Sequence, residues 1–380
     1  MTEEAAPGAV TPGGAVALGA VTSGEAWRAF CERLAAAGEV ILAPDAPADP
    51  RVRAEGFRYL SRLTRLALEQ HVEAADTDFP FFYSLSHATA KIGADNPDNV
   101  YLNASIRGDC DYRITGTRGS MFYFSIVANA MRYHIDGSNV ATGALMNEEI
   151  EWGPNGEVAI IASRTPQPKN WLRLEADASM IIVRQSALDR ANEKPGTFRI
   201  ERIGGPEVPA PLDPARFGAG LAAAGQFVGG IARTFADWTR LFRAHPNAFP
   251  PIDQAMFQKG GGSPDLYYAH SYWSLAPDEA WVIEVTPPDC YYWNFQLDNW
   301  WMESFDYRFR QITVNKHSAR LEPDGSLRIV CAARDPGVGN WIDTSGHTVG
   351  TALLRWAGAS EHPLPTTRVV KLVELEQKRA

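Results

Sequence analysis

Several features that would classify this chain of 380 residues quickly are scarce or missing. Cysteine occurs only at Cys31, Cys110, Cys290 and Cys331, and no two of them form a CxxC pair, so the sequence does not indicate a zinc ribbon. No apolar run reaches the length of about eighteen residues that spans a membrane. No Lys/Arg-rich run exists, and the net charge of -9 argues against nucleic acid or an anionic membrane as a partner.

Motifs of the common cofactor and hydrolase classes are also missing. There is no GxGxxG after a strand, no Walker A loop, no GxSxG elbow and no HExxH. The sequence therefore gives no support for nucleotide cofactors, serine-hydrolase chemistry or zincin chemistry, and we expect no cofactor. His134 and Asp136 share a face of an extended segment, as metal ligands can, but without a third ligand they do not predict a metal site.

The N-terminal segment and the cysteines favour the cytoplasm. Residues 1–22 are rich in Ala, Gly and Pro and have no basic region, which predicts a disordered leader and not a secretory signal. Cysteines without a pairing pattern are typical of buried free thiols in a reducing compartment. We therefore expect a cytoplasmic protein. We also expect its partner to be a small molecule, and the sequence does not decide whether the chain forms a homo-oligomer.

Helical patterns fill the region before residue 90. Ser23 can cap a helix over 23–37, which Gly38 can end. Asp49-Pro50 is a cap followed by proline at the first helical position, and an apolar stripe continues to about residue 75. The sequence predicts a helical N-terminal unit over 23–90.

Strand patterns dominate residues 91–380. Short alternating segments with turn signals are found at 119–128, 157–163, 170–174, 179–185, 197–203, 266–275, 280–286, 291–297, 311–316, 326–332 and 351–356. Helical spacing interrupts them at 213–245, where Gly229-Gly230 predicts a kink or break. The pattern predicts a mostly β chain with α: one antiparallel β-sandwich over 91–380 with a helical insertion at 213–245.

Four segments resemble the "domain of unknown function 1214" family. They are 98-DNVYLNASIRGDCDYRITGTRG-119, 171-WLRLEADASMIIVRQ-185, 282-VIEVTPPDCYYWNFQLDNWWMES-304 and 339-GNWIDTSGHTVGTALLRW-356. The resemblance covers roughly 96–357 with gaps. It implies a jelly-roll-like β-sandwich, but it implies no activity, because none is settled for the family. Relatives often carry an Ig-like domain upstream, where this chain has helical patterns.

The segment 339–356 holds the residues we expect to be catalytic. Asp343 and His347 flank a turn, and a carboxylate beside an imidazole can orient it and raise its pKa for acid/base work. Arg355 on the following strand could hold an anion or a carbonyl oxygen. The alternative is structural: a turn cap, a histidine bonded to backbone carbonyls and an internal ion pair.

Candidate substrate-binding residues come from four further segments: 98–119, 171–185, 266–275 and 291–309. Amides and carboxylates alternate with aromatics in 291–309, as in the lining of small-molecule pockets, although core packing is the alternative. Strand 266–275 places His270 and Tyr272 on one face with Tyr268. The candidates are Asp298, Trp300, Trp301, Glu303, His270, Tyr272, Arg184 and Tyr101.

These residues favour a cofactor-independent enzyme, a lyase or hydrolase, that uses Asp343 and His347 on a small aromatic or glycosidic molecule. A glycosidase would need two carboxylates that face each other. The alternative is a non-catalytic, lectin-like carbohydrate-binding module, which predicts exposed tryptophans and an inert Asp343–His347 pair. A scaffold without a ligand is the third hypothesis.

Overall fold

The computed structural model describes residues 18–377, in which helices precede, separate and follow two sets of strands. The helices are α1 (Glu25–Ala37), α2 (Glu39–Leu42), α3 (Pro50–Leu68) with a π-helical turn at Glu69–Glu73, α4 (Pro214–Phe242), α5 (Gln254–Lys259) and α6 (Leu372–Gln377). Asp49 caps α3 as predicted, because its carboxylate accepts the N–H groups of Arg51 and Val52. Asp213 caps α4 in the same way, and α4 packs on α1 and α3.

The first set of strands lies between α3 and α4 and forms two sheets over a shared core. Its strands are β1 (Asn99–Ser105), β2 (Tyr112–Thr117), β3 (Tyr123–Arg132), β4 (Ser138–Met146), β5 (Glu157–Ser163), β6 (Trp171–Arg173), β7 (Met180–Ser186) and β8 (Phe198–Arg202). The sheet orders are β1-β7-β3-β4 and β6-β5-β2-β8. Side chains from both sheets, among them Phe124 and Ile160, share one buried cluster. We call this set of strands the first β-unit.

The second set follows α5 and has its own core. Its strands are β9 (Leu266–Ser274), β10 (Glu279–Val285), β11 (Tyr292–Asp298), β12 (Thr313–Asn315), β13 (Leu327–Ala332), β14 (Trp341–Asp343), β15 (Val349–Ala357) and β16 (Thr366–Lys371). The sheet orders are β9-β15-β11-β12 and β14-β13-β10-β16. Trp281 and Phe295 belong to a buried cluster separate from that of the first unit. We call this set the second β-unit.

The two β-units have the same topology, so the fold contains an internal duplication. Adding eight to each strand number of the first unit reproduces both sheet orders of the second. The one parallel pairing of the first unit, β5 with β6, matches the pairing of β13 with β14. Each of the other pairings in these sheets is antiparallel.

Equivalent hydrogen bonds support the duplication at the level of single residues. The segments 156-GEVAIIASRTPQPKNWLR-173 and 325-GSLRIVCAARDPGVGNWID-343 occupy the same place in their units. Asn170 bonds both the N–H and the C=O of Glu151, and Asn340 bonds the same two groups of Arg320. Packing alone does not require the same pair of asparagine hydrogen bonds at equivalent positions. Their presence in both units favours duplication of an ancestral unit.

The single antiparallel β-sandwich predicted over 91–380 is therefore a mixed arrangement of two β-units. Alternation of apolar and polar residues shows which face of a strand is buried, but not which strands share a sheet.

The helix predicted at 213–245 is present, but it is continuous through Gly229 and Gly230. A Cβ atom at Gly230 would lie 2.1 Å from the carbonyl oxygen of Tyr133, so this glycine permits close packing and does not break the helix.

The predicted leader lies mostly outside the described residues, and its described part, residues 18–22, is helical. The four cysteines are free; three are buried as expected, whereas Cys31 is exposed on α1. None of the helices within residues 18–377 combines the length and apolar character needed to cross a membrane.

Candidate functional site

A cavity of about 140 Å³ is lined by residues of both β-units and of the helices. The first unit contributes residues of β1, β3 and β7, and the second contributes residues of β9 and β15. Helix α4 and the glycine loop after α5, which is formed by Gly260, Gly261 and Gly262, complete the wall. Its apolar lining includes Ile92, Met131, Met180, Ile182, Phe227, Phe235, Trp238, Phe257 and Leu353. Pockets between structural units are common ligand sites, so this cavity is the candidate functional site.

Two cross-strand pairs of tyrosine and arginine line the cavity. Tyr101 on β1 lies opposite Arg184 on β7, and Tyr268 on β9 lies opposite Arg355 on β15. Since β1 and β7 correspond to β9 and β15, each repeat supplies the same pair of residue types from the same pair of strands. The duplication thus places two similar polar pairs around one space.

Arg355 is buried and is held by neutral oxygen atoms. It is 4% exposed. Its Nη1 donates to Gln296 Oε1 at 2.6 Å and to Asn294 Oδ1 at 3.2 Å, and its Nη2 donates to the carbonyl oxygen of Ala94. Asn294 lies directly opposite Arg355 on β11, so the strand register itself brings the amide to the guanidinium. The guanidinium is therefore rigidly oriented beside the cavity.

Arg184 is held less completely. Its Nη2 donates to the carbonyl oxygen of Gly261 at 3.0 Å, in the glycine loop after α5. Its Nη1 is buried and has no hydrogen-bond partner within residues 18–377. A buried cationic donor without an acceptor is unfavourable, so this atom is suited to a ligand.

The hydroxyl groups of Tyr101 and Tyr268 keep their protons available. Tyr101 Oη accepts from the backbone N–H of Asn96 at 2.9 Å, and Tyr268 Oη accepts from the backbone N–H of Ser263 at 2.7 Å. Burial raises the pKa of Tyr268 to about 12 and also raises the pKa of Tyr101. Both side chains are neutral phenols near neutral pH, and a phenol is a hydrogen-bond donor.

His270 is the histidine of the cavity wall. It is 2% exposed and packs against both Phe242 and Phe257, with each ring centroid 4.7 Å from its own. Burial and then the charge of Arg355 lower its pKa well below the usual value, so the imidazole is neutral. Its Nδ1 has no partner among the described residues. His270 therefore lines the cavity with a ring nitrogen that is available to a ligand.

Asp343 and His347 do not line this cavity, and each has another partner. The structure therefore does not form the acid/base pair that the sequence predicted. The carboxylate of Asp343 accepts from Arg310 at 2.7 Å and from the backbone N–H of Ser345 at 2.7 Å. His347 Nε2 lies 2.9 Å from Glu55 Oε2 on α3. Arg310 and Glu55 are distant in sequence from Asp343 and His347, respectively, and the bond to Ser345 closes the turn after Asp343. Arg355 is the member of the predicted trio that lines the cavity.

The tryptophans and carboxylates predicted from 291–309 also lie outside the cavity lining. Trp300 and Trp301 are each 1% exposed in the core between the helices and the second unit, where they cannot form an open platform for sugar rings. Trp301 Nε1 donates to the Val52 carbonyl at 2.7 Å. Glu303 pairs with Arg62 at 2.5 Å. These side chains attach α3 to the second unit.

Asp298 and Tyr272 are likewise structural. Asp298 is fully buried, and burial raises its pKa to about 7. Its Oδ1 accepts from Gln296 Nε2 at 2.6 Å, so it supports the amide that holds Arg355 without facing the cavity. Tyr272 is buried in the apolar cluster that joins helices and strands.

Several residues of the cavity were not predicted. Tyr268 shares one face of β9 with His270, as the strand alternation predicted, but it was not among the candidate substrate-binding residues. Asp95, Tyr133, Trp238 and the glycines at 260–262 come from loops, helices and the other β-unit. No local pattern connects these positions.

No cluster of metal-ligating side chains is present within residues 18–377. Asp136 accepts from Ser138 and pairs with Arg132 at 2.8 Å, and it does not join His134 in a ligand set. His134 instead packs against His71, with ring centroids 5.3 Å apart.

Comparison with solved structures shows a strong structural similarity. No protein-family model and no curated protein matches the chain. A crystal structure from Vibrio parahaemolyticus has 13% identity over 83% of this chain and 98% of its own, with a TM-score of 0.46, too low to support an argument. The crystal structure of an uncharacterized protein from Burkholderia cenocepacia has 52% identity over 94% of this chain and 99% of its own, with a TM-score of 0.92. The chain belongs to the family of this Burkholderia cenocepacia protein.

Proposed function

We propose that the chain is a cofactor-independent enzyme that acts by acid/base chemistry on a small ring-containing molecule in the cavity. The observation that carries the proposal is the pair of phenol groups, Tyr101 and Tyr268, which accept backbone N–H groups and keep their own protons free beside aromatic walls. The cavity volume of about 140 Å³ is close to that of an engineered cavity that holds benzene. A single substituted ring is therefore a suitable size.

The acid/base roles predicted for Asp343 and His347 pass to Tyr268 and His270 in this proposal. A neutral phenol can donate a hydrogen bond or a proton to an oxygen atom on which negative charge develops. The unpartnered ring nitrogen of His270 is the site of the base, and it can take a proton where negative charge on the substrate offsets the charge of Arg355, which together with burial lowers the pKa of the imidazole. One acid and one base suffice for an eliminating lyase.

A lyase is better supported than a glycosidase. Glycosidic hydrolysis uses two carboxyl groups on opposite sides of the scissile bond. Among the described residues that line the cavity, Asp95 alone carries a carboxylate, and it accepts hydrogen bonds from the N–H and the hydroxyl of Ser304. No exposed aromatic platform favours the lectin-like alternative at the predicted tryptophans.

We also propose that the second β-unit is the jelly-roll-like domain implied by the resemblance to the domain of unknown function 1214 family. Its eight strands in two four-stranded sheets match the strand count of jelly rolls, as do those of the first β-unit, and the C-terminal segments of the resemblance, 282–304 and 339–356, lie in the second. Superposition on a crystal structure of an accepted family member tests it, because a different strand order there would overturn it. The free cysteines support our expectation of a cytoplasmic location, which cell fractionation tests.

The enzyme proposal is tested by a thermal-shift screen of single-ring compounds, followed by product analysis of the hits by NMR. Tyr268→Phe should reduce turnover by about 100-fold or more while it retains binding. Tyr267→Phe is the matched control, since Tyr267 lies on the opposite face of β9 and stacks on His362 with ring centroids 4.3 Å apart. Equal losses in both variants would contradict the role of Tyr268.

A cavity-filling variant tests the location of the site. Ile182 lines the cavity, so Ile182→Trp should occupy the space and abolish the thermal shift given by the hits. Its own melting curve shows whether the variant is folded. Binding that persists in a folded Ile182→Trp protein, or a screen without any hit, would overturn the proposal.

A further inference from the structure

The cavity contains two cationic side chains that are not neutralised by direct ion pairs. Within residues 18–377, neither Arg184 nor Arg355 forms a salt bridge, whereas the partners recorded for both are neutral oxygen atoms of amides and carbonyls. Arg355 is 4% exposed, so water does not compensate its charge well. Buried charges are normally paired, because an unpaired one keeps much of its desolvation cost.

Donor groups of both arginines remain unused. Arg184 Nη1 is buried and unpartnered among the described residues. For Arg355, the hydrogen bonds within residues 18–377 engage Nη1 and Nη2 but leave Nε without an acceptor. Guanidinium N–H groups bind carboxylates especially well, because the planar fork matches the two carboxylate oxygens.

Nearby carboxylates are already engaged with other groups. Asp95 lines the same cavity, and Asp265 lines a smaller pocket together with Arg184. Burial raises the pKa of both Asp98 and Asp298, which lie near enough to Arg355 for its charge to oppose that rise. The oxygens of these four residues accept hydrogen bonds from side chains or backbone of Ser304, Tyr292, Asn315, Gln296, Tyr123, Tyr291 and Ser263. These carboxylates reduce the positive potential around the two arginines. Among the described residues, however, they accept no hydrogen bond from Arg184 Nη1 or Arg355 Nε.

We infer that the ring-containing molecule in the cavity carries a carboxylate, which Arg184 and Arg355 hold from the two β-units. This inference rests on the proposed function and names its substrate class. The phenol of Tyr101 stands opposite Arg184 on the neighbouring strand and can donate to the same anion, whereas Tyr268, opposite Arg355, remains the acid of the proposed reaction. The aromatic wall formed by Phe227, Phe235 and Trp238 accommodates the ring.

The test compares ring carboxylates with their neutral amides, which have nearly the same shape. Benzoate with benzamide, phenylacetate with phenylacetamide, and cinnamate with cinnamamide are titrated into the full-length protein by calorimetry at neutral pH. We expect at least one carboxylate to bind about tenfold or more tightly than its amide. This wild-type comparison requires no variant to fold.

Variants then assign the effect to the arginines. Arg184→Met and Arg355→Met should each weaken carboxylate binding by about tenfold or more and leave amide binding unchanged, since methionine keeps apolar length but has no N–H group. Arg113→Met, at an exposed arginine of β2 that pairs with Glu201, is the control and should bind as the wild type does. Circular dichroism spectra confirm folding, and Arg184 provides the safer variant because it is less buried.

The outcomes separate the two proposals. If carboxylates and amides bind equally well, the ring site stands but the carboxylate inference fails. If carboxylates are preferred but folded Arg184→Met and Arg355→Met proteins bind them normally, the inference also fails, because other groups supply the recognition. If no member of any pair binds, the proposed function fails and the inference fails with it.

Discussion

Tyr268 and Arg355 lie directly opposite each other on strands β9 and β15, and both side chains line the cavity between the two β-units. Tyr101 and Arg184 have the same relationship on β1 and β7. A duplicated unit thus presents two related polar pairs to one space. The candidate site depends on both repeats, so we expect that neither β-unit alone would retain it.

His347 should contribute to stability and not to ligand binding. His347→Ala removes the contact with Glu55, which joins the second β-unit to α3, and leaves a largely buried carboxylate without that partner. We expect the free energy of unfolding to fall by about 1–3 kcal/mol, while affinity for a cavity ligand changes by less than about twofold. Urea denaturation and calorimetry measure the two effects. Lost turnover with unchanged stability would restore the acid/base role predicted from the sequence.

Adjacent glycines in α4 should respond in opposite ways to alanine. A Cβ atom at Gly230 meets the Tyr133 carbonyl oxygen at 2.1 Å, so Gly230→Ala should destabilise the protein by about 1–3 kcal/mol through overpacking. At Gly229 the nearest atom is Arg233 Nη1 at 3.1 Å, the end of a flexible side chain. Gly229→Ala should therefore be neutral or stabilising by up to about 1 kcal/mol. Similar denaturation midpoints for the two variants would contradict this packing.

The two neighbouring tryptophans provide a test of a buried hydrogen bond. Trp301→Phe leaves the Val52 carbonyl without the indole donor that now lies 2.7 Å away. Trp300 Nε1 has no partner within residues 18–377, so Trp300→Phe loses no such bond. Both changes remove similar volume. We expect Trp301→Phe to cost about 1 kcal/mol or more beyond Trp300→Phe, measured as the difference in unfolding free energy.

Asp298 should make stability decrease as pH rises. Burial raises its native pKa from 3.8 to about 7. Between about pH 4 and pH 7 the native carboxyl holds a proton that the unfolded chain has released, so its contribution to stability is complete below this window and is lost as pH rises through it.

The comparison of Asp298→Asn with wild type isolates this effect. The variant should gain stability relative to wild type as pH rises from about 4 to about 7 in urea denaturation, since its amide does not ionise. Asp177→Asn, at an exposed position, should show no such trend. A constant difference between Asp298→Asn and wild type across this range would exclude the proposed titration.

Local sequence was sufficient for much of the secondary structure. Asp49 caps α3 where the pattern predicts, and α4 lies within the helix predicted over 213–245, because capping and helical spacing involve residues only a few positions apart. The alternation over 157–163 marks β5 with its observed bounds. The alternating segments and helical spacing likewise predicted the mostly β chain with helices that is observed. These properties depend on neighbours along the chain, and a single sequence records them directly.

Long-range packing decides that the strands form two equivalent β-units and which residues line the cavity. Arg184 and Arg355 are 171 positions apart and meet one space only because the repeats face each other. His347 looked like a partner of Asp343 because they are close in sequence, yet its observed partner is Glu55 on α3. Strand register, helix docking and the contacts of loops choose such partners, and these choices depend on the whole core and not on spacing within a segment.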